Sequence, residues 1–506
     1  MASLWQLTGA PIPTSDSRPT FDRPYDTIVV GAGLTGLVTA VLLARAGQRV
    51  AVFEARTVGA VATGNTTAKL SLLQGSVYSS LRTHLGDEAV REYAEGNREG
   101  QAWLVRELEH LGMPVERQRA VTFVHSESQR SALEQELEAC QTAGVGAEWT
   151  TDTGLPFAVA AAIALPDQVQ LQPIDVLAAL AAELLARGGE LHEGVRVTGA
   201  NVSGTRGDDA GGPSRRVRLN TPLGVATADR CVLATGVPIL DRGMFFARVE
   251  PNRSFVGAYS VPEAYVPRGM HVSIDEPSRS LRTARGASGE TLVLVGGGDH
   301  TTGRGGDTRR ALADLDAFAK ANLHAGPRVT WWAAQDYRRH ASAPYAAPLP
   351  GGHDRVFAAT GYNKWGMTNA VASGLAIASQ MLGGRTDWAD VYRRTTPGVA
   401  GVADAARVNA SVAGHVVADW AGAMLGGSEG ELAEGEGSVR REGRKPVAVA
   451  QVDGRECRVS AVCTHLGGIV NWNPAERSWD CPLHGSRFAA DGTILEGPAT
   501  SDLAAS

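Results

Sequence analysis

Residues 25–56, YDTIVVGAGLTGLVTAVLLARAGQRVAVFEAR, constrain the fold more than any other stretch of the chain. A short apolar strand, Thr27 to Val30, runs into Gly31-x-Gly33-x-x-Gly36 and a helix predicted from Leu34 to about Ala46. Gly47 stops that helix, and a second strand ends at Glu54. The three glycines permit a tight turn, close backbone approach to a pyrophosphate and close helix packing, with the phosphates on the helix N-terminus. Glu54 stands where a carboxylate accepts ribose hydroxyls. Strand, turn, helix, second strand and acid at these offsets predict an α/β Rossmann-type domain that binds an adenine dinucleotide. They leave open whether it is FAD or NAD.

The rest of the chain bears on that choice. GAVATGNTTAKLSLLQG spans Gly59 to Gly75, Val197 ends a strand that would meet adenine, and ADRCVLATG closes a strand at Thr235-Gly236. After Gly361 a long helix begins at Lys364-Trp365-Gly366-Met367-Thr368. The other glycine-rich stretch, Val295 to Gly303, has Thr301 where a third glycine would stand and lacks a following strand and acid. It reads as a tight loop after the strand TLVLV, on the substrate side, so no second nicotinamide site is expected. Together these segments resemble the D-amino acid oxidase and glycine oxidase superfamily of FAD enzymes over about residues 25–385. That resemblance implies FAD, with Thr66, Thr67, Ala68 and Lys69 beside the isoalloxazine and the helix at Gly366, Met367 and Thr368 aimed at its pyrimidine edge. Orphan N–H groups and the positive dipole end would there stabilise the charge that reduction places on N1 and O2. It also implies a mixed-sheet substrate domain, interleaved with the FAD domain and built from residues 76–170 and 250–340.

Near the other end stands CTHLGGIVNWNPAERSWDCPLHGS, in which Cys463-x-His465 and Cys481-x-x-His484 are separated by fifteen residues. Four such ligands suit one tetrahedral zinc, or a cluster in which two thiolates hold one iron and two imidazoles the other. Gly467, Gly468, Pro482 and Gly485 favour the second, because they let two tight loops close over a bulky group with N–H donors toward its sulfides. The pattern resembles the Rieske family over about residues 430–503, which implies a [2Fe–2S] cluster on Cys463, His465, Cys481 and His484 and an all-β fold. High-potential members of that family add two cysteines and a tyrosine. Here those positions read Gly468, Leu483 and Phe488, while Ser486 keeps one donor toward a bridging sulfide. The expected potential is in the lower part of the Rieske range, about −150 to +80 mV.

For the substrate pocket, Arg253, Tyr259, His300, the run Arg338-Arg339-His340 and Lys364 are candidates, since an arginine fork is what a substrate carboxylate needs. The segment WWAAQDYRRHASAPYAAPLP departs from the family spacing around a second acid, so an amine or amino-acid-like C–N substrate is expected rather than a defined amino acid.

At 506 residues the chain is too long for one core. The expected layout is an FAD-dependent oxidoreductase at 25–385, a helix and acidic glycine-rich linker at 386–437, and a Rieske domain at 438–506. A net charge of −6 gives no basic footprint for nucleic acid. The first residues lack a signal-peptide pattern, and no apolar run is long enough to span a membrane. Of five cysteines, Cys140 and Cys231 lie in apolar-periodic surroundings and read as buried small hydrophobes; no disulfide framework is expected, and a cytoplasmic location suits this. None of the twelve histidines shows the H-x4-H spacing of a mononuclear iron oxygenase. The expectation is hydride transfer from a small organic substrate to FAD, with electrons passed to the cluster. The alternatives are an oxidase using O2 with a structural cluster, or an electron-transfer protein serving a partner.

Overall fold

The computed structural model describes residues 2–203, 216–339, 343–394, 420, 421, 423 and 430–506. Tyr25–Val30 is buried at every position but Asp26, as suits a parallel strand covered on both faces. It pairs in parallel with Val50–Phe53 on one side and Gly224–Leu233 on the other. Glu190–His192 and Val356–Thr360 extend the parallel order, and Tyr345–Pro348 closes one edge antiparallel. The helices Leu34–Arg45 and Gly366–Met381 pack against each other beside this sheet, so both N-termini are placed by one core.

The second sheet runs Arg328–Arg339, Val249–Ser260, Thr291–Thr301, Ser280–Arg285, Met270–Ser273, Glu116–Val124, Ala161–Gln170, Lys69–Leu70. It is mixed, because Met270–Ser273 pairs in parallel with Glu116–Val124 while its neighbours are antiparallel. The stretch expected as a loop after TLVLV is instead strand: Thr291–Thr301 carries the ladder through Gly296 and Gly297, paired with Val256 and Phe255. Backbone pairing there outweighs the turn preference of glycine; Gly298 takes a left-handed φ of +70°, and Gly303, past the strand's end, one of +75°.

The remaining chain forms a meander, Gly437–Glu442, Lys445–Val452, Arg455–Ser460, and a four-stranded antiparallel sheet from Asn471 to Glu496. Its own core includes Val459, Trp479, Phe488 and Ile494. Of the helix expected over 386–425, a 3-10 turn Asp387–Ala389 and a short helix Asp390–Arg393 are seen, while 395–419 lie outside the described residues, as do 426–429 of the linker. Gly437, placed at the linker's end, opens a strand. Cys140 and Cys231 are fully buried, and burial pushes the Cys231 thiol up to about 12. Among the described residues no helix is long and apolar enough to cross a membrane.

Candidate active site and cluster centre

The glycine turn is shaped by close approach. A Cβ on Gly31, whose φ is +103°, would lie 2.5 Å from the Ala234 carbonyl oxygen, and one on Gly36 would lie 2.0 Å from the Gly31 oxygen. Leu34–Arg45 starts at Gly33, which offers no side-chain cap; Thr63 Oγ1 accepts the Leu34 N–H at 3.1 Å, and the N–H groups of Thr35 and Gly36 that follow suit an anion. Glu54 accepts the Ala32 and Arg56 N–H groups, each at 2.9 Å, and burial raises its carboxyl. These groups open onto a cavity of about 670 Å³ that reaches the mixed sheet. Gly31, Gly33, Glu54, Thr66, Thr67, Lys69, Val197, Thr235, Gly236, Lys364, Gly366 and Met367 line it. Gly36, Ala68, Gly361 and Thr368 stand outside its lining; Thr368 Oγ1 accepts a 3.1 Å bond from cavity-lining Gln74.

Charged side chains gather at the mixed-sheet end of the cavity, Lys69, Lys364, Asp299 and Asp336 in its lining and Arg282 behind it. Lys69 is buried, touches the Ser280 hydroxyl, and is lowered to about 7 by loss of solvent and the nearby Arg282 guanidinium. Arg282 in turn holds the loop before Lys69, donating to the carbonyls of Thr67 and Ala68 at 2.9 and 3.0 Å. Lys364 Nζ is 2.6 Å from Asp299. Asn363 and Lys364 have left-handed φ values of 48° and 69°, and Asp336 accepts the Lys364 N–H; this turn sets the start of Gly366–Met381. Desolvation raises Asp336 to about 6. That helix has no side-chain cap, and its first residues, Gly366 and Met367, line the cavity.

Four pocket candidates lie elsewhere. Arg253, 3% exposed, pairs with Glu476 and Glu496 of the C-terminal half. Tyr259 is in the core behind the mixed sheet and donates to Asp316 at 2.8 Å. His300 stacks on Phe255 with ring centroids 5.7 Å apart. Arg339 is spent on the carbonyls of Ala343, Pro344 and Arg394. The expected arginine fork is therefore not formed by Arg253 and Arg339, and His340 lies outside the described residues. Arg338 does line the cavity, paired with Glu250 at 2.8 Å. Sequence reasoning missed Ser280 and Asp299; alternation along the strand, which puts Asp299 and His300 on opposite faces, was the available signal.

The two hooks fold alike. Cys463 N–H donates to Gly468 O and Gly467 N–H to Cys463 O, at 2.8 and 3.1 Å; Cys481, Ser486 and Gly485 repeat both bonds at the same lengths. The two thiols adjoin. Cys463 receives the Cys481 thiol, the N–H groups of His465 and Leu466 and the Ser486 hydroxyl, and these donors lower it to about 7. Cys481 is driven up by its bond to Cys463 and by burial. The imidazoles of His465 and His484 stand 5.0 Å apart, and the Nδ1 of each is buried without a hydrogen-bond partner. Among the described residues no three His, Cys, Asp or Glu side chains converge on a single ion position, which a tetrahedral zinc would require. Paired sulfurs and paired orphan nitrogens fit the donor set of a Rieske [2Fe–2S] cluster. A Cβ on Gly468 would lie 2.6 Å from Leu483 Cδ1, so the positions that carry cysteines in high-potential relatives face each other here without sulfur.

The halves share this region. Gln335 Nε2 donates to Gly485 O, beside His484, at 2.9 Å, and Leu495, Glu496, Gly497, Ala499 and Thr500 line the same cavity as the glycine turn. Arg56 and Arg196 reach the carbonyls of Leu495 and Ile494 at 3.2 and 3.4 Å.

Known proteins match both halves. A family model described as FAD dependent oxidoreductase covers residues 26–380, and one described as Rieske [2Fe-2S] domain covers 424–505. YhfW of Bacillus subtilis (strain 168), named for a Rieske 2Fe-2S iron-sulfur protein, is 28% identical over 504 residues, spanning 97% of this chain and 96% of that one. The cytochrome b6-f complex iron-sulfur subunit 1 of Nostoc sp. (strain PCC 7120) is 52% identical over 48 residues, 10% of this chain and 27% of that one. Glycine oxidase from Geobacillus kaustophilus shares the fold at TM-score 0.57 and 19% identity, over 73% of this chain and 98% of that one. L-proline dehydrogenase from P. horikoshii does so at 0.60 and 16%, over 73% and 97%. The chain belongs to the FAD dependent oxidoreductase family, and it carries a Rieske [2Fe–2S] domain in its C-terminal part.

Proposed function

We propose that this oxidoreductase removes two electrons from the C–N unit of a small amine or amino-acid-like substrate and passes them singly from flavin to cluster within one chain. Bound FAD supplies the two-electron acceptor and the [2Fe–2S] cluster a one-electron acceptor. Gly31, Gly33 and the N-terminus of Leu34–Arg45 would hold the pyrophosphate, Glu54 the ribose, and the N–H groups at Gly366 and Met367 the pyrimidine edge. Lys69 Nζ, neutral above pH about 7, takes the proton of the substrate ammonium, leaving the amine lone pair free as the C–H hydride departs. The Lys364–Asp299 pair flanks the same space and sets its polarity. A reducing, cytoplasmic setting suits the five unpaired cysteines.

One observation carries the electron route. Consecutive residues of a single strand support the reading: Gln335 donates to Gly485 O in the proposed cluster loop, and Asp336 accepts the Lys364 N–H in the turn before Gly366–Met381. Anaerobic stopped-flow mixing with candidate amines tests the reading. Flavin bleaching followed within the same turnover by loss of oxidised-cluster absorbance supports it. A cluster that stays oxidised while O2 alone restores the flavin would make the protein an oxidase with a structural cluster.

A further inference from the structure

We propose that Asp241, a residue of the flavin half, is a positioning residue for the cluster: it holds the ligand His465 and lowers the cluster's reduction potential. His465 Nε2 lies 2.9 Å from Asp241 Oδ1, while its Nδ1 is buried and has no partner in the protein. An imidazole that gives one nitrogen to a metal keeps an N–H on the other. A carboxylate accepting that N–H fixes the tautomer and the ring plane and makes the metal-bound nitrogen a stronger donor. Both effects, and the carboxylate's own negative charge, oppose the arrival of an electron.

The two histidines are not equivalent in this respect. Asp241 directly precedes the 3-10 turn Arg242–Ala247 without capping it, and the Phe246 ring of that turn meets His465 and His484 edge-on at 5.8 and 5.0 Å. Phe246 thus meets both rings, but the Asp241 hydrogen bond goes to His465, and the carboxylate acts on His484 through its charge. Arg304, which donates to Pro482 O at 3.1 Å, places a cation near His484. The turn is anchored by Phe245, 1% exposed, and it follows the strand that ends at the Thr235-Gly236 edge of the dinucleotide cavity. One segment thus continues from the flavin cradle to the histidine edge of the cluster, and the potential of the cluster becomes a property of the docked molecule. Asp241 itself is 59% exposed, so its replacement removes a charge without emptying a core.

The proposal rests on the cluster ligands assigned above and not on the direction of electron flow. An equilibrium redox titration of the holoprotein, followed by the cluster's paramagnetic signal, compares wild type with Asp241→Asn and Asp241→Glu. Asp241→Asn keeps an acceptor oxygen and loses the charge; it should favour the reduced cluster about tenfold, which is about 59 mV upward for one electron. Asp241→Glu should stay nearer the wild-type value, and Asp87→Asn, far from the cluster on the long helix Val77–His110, should not move it. A midpoint unchanged in Asp241→Asn at full cluster content overturns the proposal, as does an equal shift in Asp87→Asn. Pulsed paramagnetic resonance on the wild type gives a second reading that needs no variant. One remote histidine N–H should be strongly hydrogen-bonded and slow to exchange in D2O, and two equivalent remote nitrogens would refute the assignment. Neither measurement involves substrate, so failure of the flavin-to-cluster route would be seen separately, in the stopped-flow traces.

Discussion

Single hydrogen atoms set much of this chemistry. Ser486 is fully buried; its oxygen accepts the Ala499 N–H at 3.0 Å, which turns its own proton toward Cys463. That contact puts the hydroxyl beside a thiol proposed to hold the cluster. Ser486→Ala removes a donor from a group that gains charge on reduction, so the midpoint should fall by roughly a tenfold equilibrium shift, about 59 mV, in a redox titration. Phe488, buried in the core that contains both ligand cysteines, has no hydroxyl to offer, and Phe488→Tyr should move the value upward. Lys69 is read through pH. Burial, then Arg282, lowers it to about 7, so its base form prevails above that value. The rate of flavin reduction at low substrate should rise with pH through about 7; Lys69→Met should lose this limb and run about a hundredfold slower at pH 8. A limb that persists in the variant belongs to another group. At this scale the Rieske domain was legible because the two Cys/His hooks that announce it are local in sequence. Arg253 was misread because its partner Glu476 lies 223 positions away, and nothing near Arg253 in sequence announces a carboxylate.

Elements were legible where periodicity and punctuation agree. The helix expected from Leu34 is seen at Leu34–Arg45, and the strand before it is longer than expected by Tyr25 and Asp26. Agreement failed at Thr291–Thr301, where glycines suggest a turn but cross-strand pairing with Val256 and Phe255 decides. The start of Gly366–Met381 depends on left-handed residues that are not glycine, Asn363 and Lys364, held by the Asp336 carboxylate from another strand; no local rule would place them. The glycine turn itself gives a sharp test. With 2.0 Å between a Gly36 Cβ and the Gly31 oxygen, Gly36→Ala must displace the turn from the helix that follows it. The variant should fold and load its cluster, whose core is separate, yet copurify with little or no FAD, measured as the ratio of flavin to iron.

At the scale of the molecule, the question is whether the halves are tethered or docked. The interface contains a buried ionic group drawn from both: Arg253 with Glu476 and Glu496, and Arg487 with Glu476, Asp480 and Glu496. Burial alone would raise Glu476, but Arg253 and Arg487 hold it at about 2. A carboxylate depressed on folding contributes stability above its unfolded value, near 4.5, and loses it as pH falls toward about 2, so docking should weaken across that acid window. Removing one partner from such a set leaves an uncompensated buried charge, which costs roughly 3–5 kcal/mol. Arg253→Met does this from the flavin side, while the cluster loops keep Arg487. The cost should appear at the interface, not within either core. Urea unfolding of the wild type, followed by flavin fluorescence and cluster absorbance, should then show coincident transitions, and the variant two separate ones. In anaerobic stopped flow the variant should bleach its flavin at the wild-type rate while cluster reduction lags, because Arg253 lies outside the cavity lining yet on the strand paired to Gln335. If flavin bleaching slows instead and cluster reduction keeps pace with it, Arg253 serves the substrate side, and the docked geometry is not what carries the electrons.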